Sequence, residues 1–251
     1  MTFSKNILLI LGLILFIGFQ NSSYSQMSKK EIEKERALYK SNNIKKVNEF
    51  GGKGYYEVTE VDREGRKIKS NGFYNDQEVN ITIYEYDLNG RLYEESYYGY
   101  ESGDGLSFKY SYDDEGNVKS ILSEGVEESN IIFKYDEFGN VISKEIEDIG
   151  LYPQPSYIIE FENTYEDGIL ISISQKCNST IELAEFTEYD YNEGLLNSKV
   201  EYYKNCYDRI LKFSSKSTYT YYPNKLIEQV SLESTYNESI QVSNFRYEYY
   251  K

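Results

Sequence analysis

The sequence predicts an all-β protein, a curled antiparallel sheet of successive β-hairpins preceded by one short N-terminal helix. Three observations predict it. From Ile44 onward apolar and polar residues alternate with period two. A turn signal returns seven times at near-constant intervals. The 251 residues include 29 Tyr, a ring that packs well on a pleated, half-buried surface.

The N-terminus comes first. Lys5 is the only charge before the apolar run "ILLILGLILFIGF" from Ile7 to Phe19, and polar "QNSSYSQ" follows. One basic residue, a short apolar run and small residues at Ser23 and Ser25 form the three-part pattern of a secretory signal peptide, residues 1–25, cleaved after Ser25. The competing reading, a membrane anchor, would need ~20 apolar residues. With no Cys near the boundary, a lipobox anchor is not expected. The chain is therefore expected to be secreted, periplasmic or on the cell surface, with no membrane span after cleavage. Its richness in Lys, Asn, Ile and Tyr points to an AT-rich bacterium, so the sequon at Asn178 is expected to carry no glycan.

Residues 26–43 form a charged linker. Ser28 can cap a helix running to Tyr39, with Asn42 and Asn43 ending it. The helix is charged nearly all round, which predicts a solvated arm rather than core.

The β domain spans 44–251. Its turn signals are "DREG" (Asp62–Gly65), "DLNG" (Asp87–Gly90), "DDEG" (Asp113–Gly116) and "DEFG" (Asp136–Gly139), then "YEDG", "YNEG" and "YPNK", ending at Gly168, Gly194 and Lys225. Successive fourth positions lie 25, 26, 23, 29, 26 and 31 residues apart, which means stacked similar units. Asp at the first position of a turn accepts backbone N–H bonds, and Gly at the fourth supplies the positive φ that suits a hairpin. Two residues past the fourth position comes an apolar residue, Leu92, Val118, Val141, Leu170, Leu196 or Ile227; in the first unit the place holds Lys67, with Ile68 one step later. The strands alternate to match. In "LSFKYSYD", Leu106, Phe108, Tyr110 and Tyr112 share one face. Where Tyr165, Tyr191 and Tyr222 replace Asp, an unchanged loop would flip every strand face. The turns there are predicted to be one residue shorter, with Asp167-Gly168 as a two-residue primed turn.

"YDLNGRL", "YDDEGNV" and "YDEFGNV" resemble the tyrosine–aspartate repeats of RHS proteins. The resemblance is strongest over Tyr84 to Val141, extends roughly over 55–251 and weakens where Tyr takes the Asp place. It implies a long curled sheet of hairpins. Large members of that family enclose or present toxin domains, a role for which this chain is short.

Chemistry is sparse. There is no His, which removes the usual general base, the common nucleophilic triads and most zinc sites. "DDEGN" at Asp113 gathers oxygens, but a calcium loop needs a longer ligand series, and turn chemistry accounts for each Asp and Gly. No enzyme, metal or cofactor is expected. A net charge of −15 repels phosphate backbones, which excludes nucleic acid as a partner. Tyr97, Tyr98 and Tyr100 sit near a loose loop and are candidates for stacking on a sugar; packed aromatic ladders use the same residue type. The loops opposite the seven turns vary in length, as recognition loops on a scaffold do and as unconstrained connections also do. The only cysteines, Cys177 and Cys206, fall in two such loops one hairpin apart, which predicts a disulfide; the alternative is two separate buried thiols. The function expected is a non-enzymatic exported repeat protein that binds a surface glycan or partner protein through its variable loop edge. The alternative is a structural envelope component with no soluble ligand.

Overall fold

A computed structural model describes residues 29–52, 54–100, 105–125, 128–150, 155–177, 183–207, 210–235 and 237–250. The signal peptide, its cleavage site and Asn178 lie outside the described residues. Among the described residues one helix, α1 (Lys29–Ser41), leads into sixteen antiparallel strands. The first is β1 (Ile44–Phe50) and the last β16 (Asn237–Tyr249). Between them run seven hairpins. They are β2 (Tyr55–Val61) with β3 (Lys67–Tyr74), β4 (Gln77–Tyr86) with β5 (Leu92–Gly99), β6 (Gly105–Tyr112) with β7 (Val118–Glu124), and β8 (Ser129–Tyr135) with β9 (Val141–Asp148). The rest are β10 (Tyr157–Glu166) with β11 (Ile169–Gln175), β12 (Leu183–Asn192) with β13 (Leu195–Asn205), and β14 (Leu211–Tyr221) with β15 (Ile227–Ser234).

The sheet closes into a barrel, where the sequence predicts a curled sheet of hairpins. β16 pairs with β1 over Ile44↔Tyr249 to Phe50↔Asn244, so every strand has two neighbours and the fold is a barrel. Closure removes the two exposed edges that an open sheet of this length would have to protect.

The turns follow their chemistry. Asp62 Oδ1 accepts the backbone N–H of Glu64 and of Arg66, both at 2.9 Å, and Asp87 and Asp136 repeat the pattern. At the fifth and sixth turns the loop is two residues long, with positive φ at Asp167 and Gly168 and at Glu193 and Gly194. Tyr165 and Tyr191 thereby stay half-buried on the inner face. The seventh turn does not shorten, contrary to expectation. Tyr221 pairs with Ile227, Tyr222 stands in the Asp place, and Lys225 takes the left-handed conformation (φ 65°) that Gly holds elsewhere.

The tyrosine before Asp87, Asp113 and Asp136 has a second role that links units. Between hairpins the ladder stops four residues past the turn glycine. A tyrosine hydroxyl then bridges the gap to a carbonyl of the preceding unit. Tyr86 donates to Lys67 O at 2.8 Å, Tyr112 to Leu92 O at 2.7 Å and Tyr135 to Val118 O at 2.7 Å. Tyr221 donates to Leu196 O at 2.8 Å and Tyr247 to Ile227 O at 2.9 Å. At the fifth unit Asn163 Nδ2 takes over, donating to Val141 O at 3.2 Å. Each bond satisfies a carbonyl that the ladder leaves unpaired.

The two faces of the wall differ. Outward side chains include the exposed charges Glu85, Lys134, Glu160, Glu162, Glu188, Lys216 and Glu248, with cross-strand pairs Lys46–Glu60 (3.4 Å) and Lys109–Glu124 (2.6 Å). A bilayer-spanning barrel carries an apolar outer band about 25 Å tall; this outer wall sets its charges beside exposed apolar side chains such as Ile68, Ile83 and Ile158. Inside, two apolar clusters sit at the turn end, one of Leu92, Tyr110, Val118, Ile121 and Phe133, the other of Tyr39, Ile44, Val47, Val61 and Leu226.

Candidate functional site

The helix decides which end of the barrel is open. Ile32, Glu35 and Tyr39 lie three and four residues apart on one face of α1. Ile32 packs on the first apolar cluster and Tyr39 belongs to the second. The basic residues of α1 donate to turn carbonyls. Lys29 Nζ reaches Glu115 O at 2.6 Å, while Arg36 reaches Glu64 O at 3.1 Å and Gly90 O at 2.9 Å. Lys34 Nζ lies 3.5 Å from Gly194 O, on a turn between distant strands. The helix thus plugs the turn-bearing mouth. The expectation of a solvated arm is corrected: its charges bind the carbonyls that ring the mouth, and Ile32, Leu38 and Tyr39 pack on the apolar clusters.

The exception at Lys67 belongs to the same device. Lys67 holds the inward position opposite Val61, and Ile68 faces out, 38% exposed. Its Nζ meets Glu35 Oε1 of the plug at 3.1 Å. Burial pulls the Lys67 ammonium down, but Glu35, with Tyr84 and Glu57, outweighs it and the net shift is upward. An apolar residue there would leave Glu35 facing the lumen without this partner.

Beneath the plug the lumen is acidic and tyrosine-rich. Glu49 and Glu57 stand directly opposite each other on β1 and β2, a like-charge pair that a sheet disfavours. Ser70 Oγ donates to Glu57 Oε1 at 2.6 Å. Burial pushes the Glu49 carboxyl upward, Ser243 opposes it, and Glu57 adds to the rise. Glu95 is 3% exposed and accepts from Tyr110 OH at 3.0 Å. Burial, against the Tyr110 bond, pushes its carboxyl up to about 7. Asn80 bonds both Tyr55 and Tyr97, and its amide lies where a Cβ on Gly72 would sit, 2.6 Å from Oδ1. Gly72 is the gap that lets Asn80 cross the sheet.

The opposite mouth carries the irregular loops, since each joins one hairpin to the next at the far end from the plug. Cys177 and Cys206 are joined there, with Cα atoms 5.5 Å apart, tying two of these loops across the β12–β13 hairpin. The three tyrosines singled out for sugar stacking do not share a surface. Tyr97 points into the lumen toward Asn80, Tyr98 faces out at 49% exposure, and Tyr100 lies at the rim, bonding Glu78 Oε1 at 3.2 Å. Period-two alternation separates Tyr97 from Tyr98. The turn positions Asp62, Gly65, Asp87, Gly90, Asp113, Gly116, Asp136, Gly139, Gly168 and Gly194 all lie at the plugged mouth. Gly65 is the most constrained, because a Cβ there would meet Arg36 O at 2.2 Å. Sequence reasoning missed the Glu35–Lys67 pair and Leu226; Lys67 breaking an otherwise apolar column was the available signal.

No protein-family model and no curated protein matches the chain. Among solved structures it is similar to a porin-like protein from Bacteroides uniformis, at 12% identity and TM-score 0.48, over 82% of this chain and 97% of that one. A porin-like protein from Bacteroides vulgatus is similar at 12% identity and TM-score 0.39, over 82% and 98%. The TcdB2-TccC3-Cdc42 structure matches at 10% identity and TM-score 0.24, over 76% of this chain and 15% of that one. At these scores none of them assigns a family or a function.

Proposed function

We propose that the protein is an exported, non-enzymatic component of the bacterial envelope that engages a surface glycan or envelope protein through its loop-bearing mouth. The observation that carries this reading is the asymmetry of the barrel. One mouth is filled by α1, bonded to its turns, while the other is ringed by loops of unequal length. A plugged barrel offers a partner one rim, and a rigid scaffold with variable loops is how recognition surfaces are built. The chemistry speaks for binding rather than turnover. The chain has no His, both cysteines are bonded to each other, and the inner carboxylates Glu57 and Glu95 are hydrogen-bonded by neighbouring hydroxyls. The tyrosine–aspartate phrases and the successive hairpins fit an RHS-like scaffold.

The test is capture by the immobilised mature chain, residues 26–251, from envelope extract and cell-wall glycans. A second bait has the 149–156 loop replaced by a short Gly-Ser connection. Saturable capture by the first bait, lost or weakened in the second while thermal stability is kept, supports the reading. Equal capture by both baits, or none, overturns it.

A further inference from the structure

The seam between β15 and β16 departs from the first two seams in a way that opens a groove. At the early seams the gap between hairpins is covered by a guanidinium. Arg66 lies over the Tyr86 ring at 5.1 Å and Arg91 over Tyr112 at 4.6 Å, each held by the Asp of its own turn. In the last turn Tyr222 replaces that Asp and Leu226 replaces the Arg. Leu226 turns inward to the cluster with Tyr39 and Ile44, where it is 1% exposed. No guanidinium then covers the seam. Tyr222 meets the Tyr247 ring edge-on at 6.2 Å instead.

What remains is a hollow of ≈ 460 Å³ bordered by Tyr222, Asn224, Arg246 and Tyr249. A second, of ≈ 400 Å³, adjoins it through Tyr222 and Arg246 and reaches Phe50 and Asn244. Together they lie in the size range of small-ligand sites. Arg246 stacks over the Phe50 ring at 5.2 Å and makes no ion pair among the described residues. On a chain of net charge −15, an arginine without a carboxylate partner marks a place where an anion is favoured. The same two substitutions remove an acid and a cation that the first two seams keep, so the groove differs from those two in charge as well as in shape.

We propose that this groove binds an acidic oligosaccharide. A sugar's apolar face packs on Tyr249, which is 53% exposed, and on Tyr222. Its carboxylate pairs with the Arg246 fork. Its hydroxyls meet the amides of Asn224 and Asn244, the latter already accepting from Gln229 Nε2 at 3.0 Å and so keeping its own N–H groups to donate. Aromatic faces beside amides and one cation suit a hydroxylated ring better than an extended acidic peptide, which has no ring face to pack on Tyr222 and Tyr249. The site lies beside the last turn, apart from the loop-bearing mouth, and stands independently of the function proposed for that mouth.

The experiment is calorimetric titration of the mature chain with two uronate tetrasaccharides, from oligogalacturonate and from hyaluronan. Neutral maltotetraose and tetraglutamate are the comparison probes. The expected result is saturable binding of at least one uronate probe, weakened about tenfold or more in both Arg246→Gln and Tyr249→Ala and unchanged in the exposed control Lys119→Gln. Circular dichroism and melting of each variant separate loss of the site from loss of the fold. The proposal is overturned if neither uronate binds, if maltotetraose or tetraglutamate binds as well, or if folded Arg246→Gln binds like the parent.

Discussion

Glu95→Gln isolates the cost of holding a carboxylate inside the barrel. Glu95 sits on the inner face of β5, 3% exposed, with the Tyr110 hydroxyl donating to it at 3.0 Å. Burial raises its carboxyl from 4.5 to about 7. A folded-state value above the unfolded one means that the folded chain binds this proton more tightly. Stability from this group is therefore full below about pH 4.5 and is lost as pH rises through 7. The whole shift corresponds to about 3 kcal/mol, and about 2 kcal/mol of it falls between about pH 5.5 and about pH 8.5. That window lies above the isoelectric point of 4.6, where solubility would interfere. Gln keeps an acceptor for Tyr110 and carries no charge. Urea unfolding of parent and variant at both pH values, followed by far-UV dichroism, gives the difference; comparing the two proteins at each pH cancels groups they share. The expected outcome is that Glu95→Gln gains about 2 kcal/mol relative to the parent on going from the lower to the higher pH. A difference that stays flat with pH would refute the buried, proton-holding Glu95.

Other expectations follow from particular contacts. Gly65→Ala should destabilise by about 3 kcal/mol, since it combines positive φ with a clash against the α1 backbone, while Gly168→Ala, with open space around it, should cost only about 1 kcal/mol; equal melting temperatures for the two would contradict the seating of α1 on the β2–β3 turn. Tyr112→Phe leaves the Leu92 carbonyl without its hydroxyl and should cost about 1–2 kcal/mol. Tyr93→Phe on the exposed outer face should cost close to nothing, and chemical denaturation of both distinguishes a bridging hydroxyl from a packing ring. Mass spectrometry of the unreduced protein should find no alkylatable thiol, and reduction should lower stability by about 3 kcal/mol for the 29-residue separation of Cys177 and Cys206; two free thiols after gentle unfolding would show the bond to be absent.

The local half of this structure was legible in the residues. An Asp that accepts its own backbone, a Gly with positive φ three places on, and strict alternation in strands such as β6 act over a few residues, so their pattern survives in any global arrangement. The same locality made the fifth turn readable, because only a shorter loop keeps Tyr165 on the face of Tyr135. The seventh turn misled because Tyr222 looks like Tyr165 in sequence; only the pairing of Tyr221 with Ile227 shows that Lys225 bears the strain instead. Closure belongs to tertiary structure. An open curl and a barrel are built from the same hairpins, and the choice depends on twist accumulated over sixteen strands bringing Ile44 beside Tyr249. The plug was hidden for a related reason. In the sequence Arg36 and Lys29 read as charges for water, because the carbonyls they bind, on Gly90 and Glu115, become a ring of acceptors only once the barrel has formed. Lys67 likewise looked like a lapse in an apolar column until folding set Glu35 3.1 Å away. What the sequence determined by itself is the unit and its turn; what only the tertiary structure decided is which polar groups, far apart in the chain, would meet and so need no water.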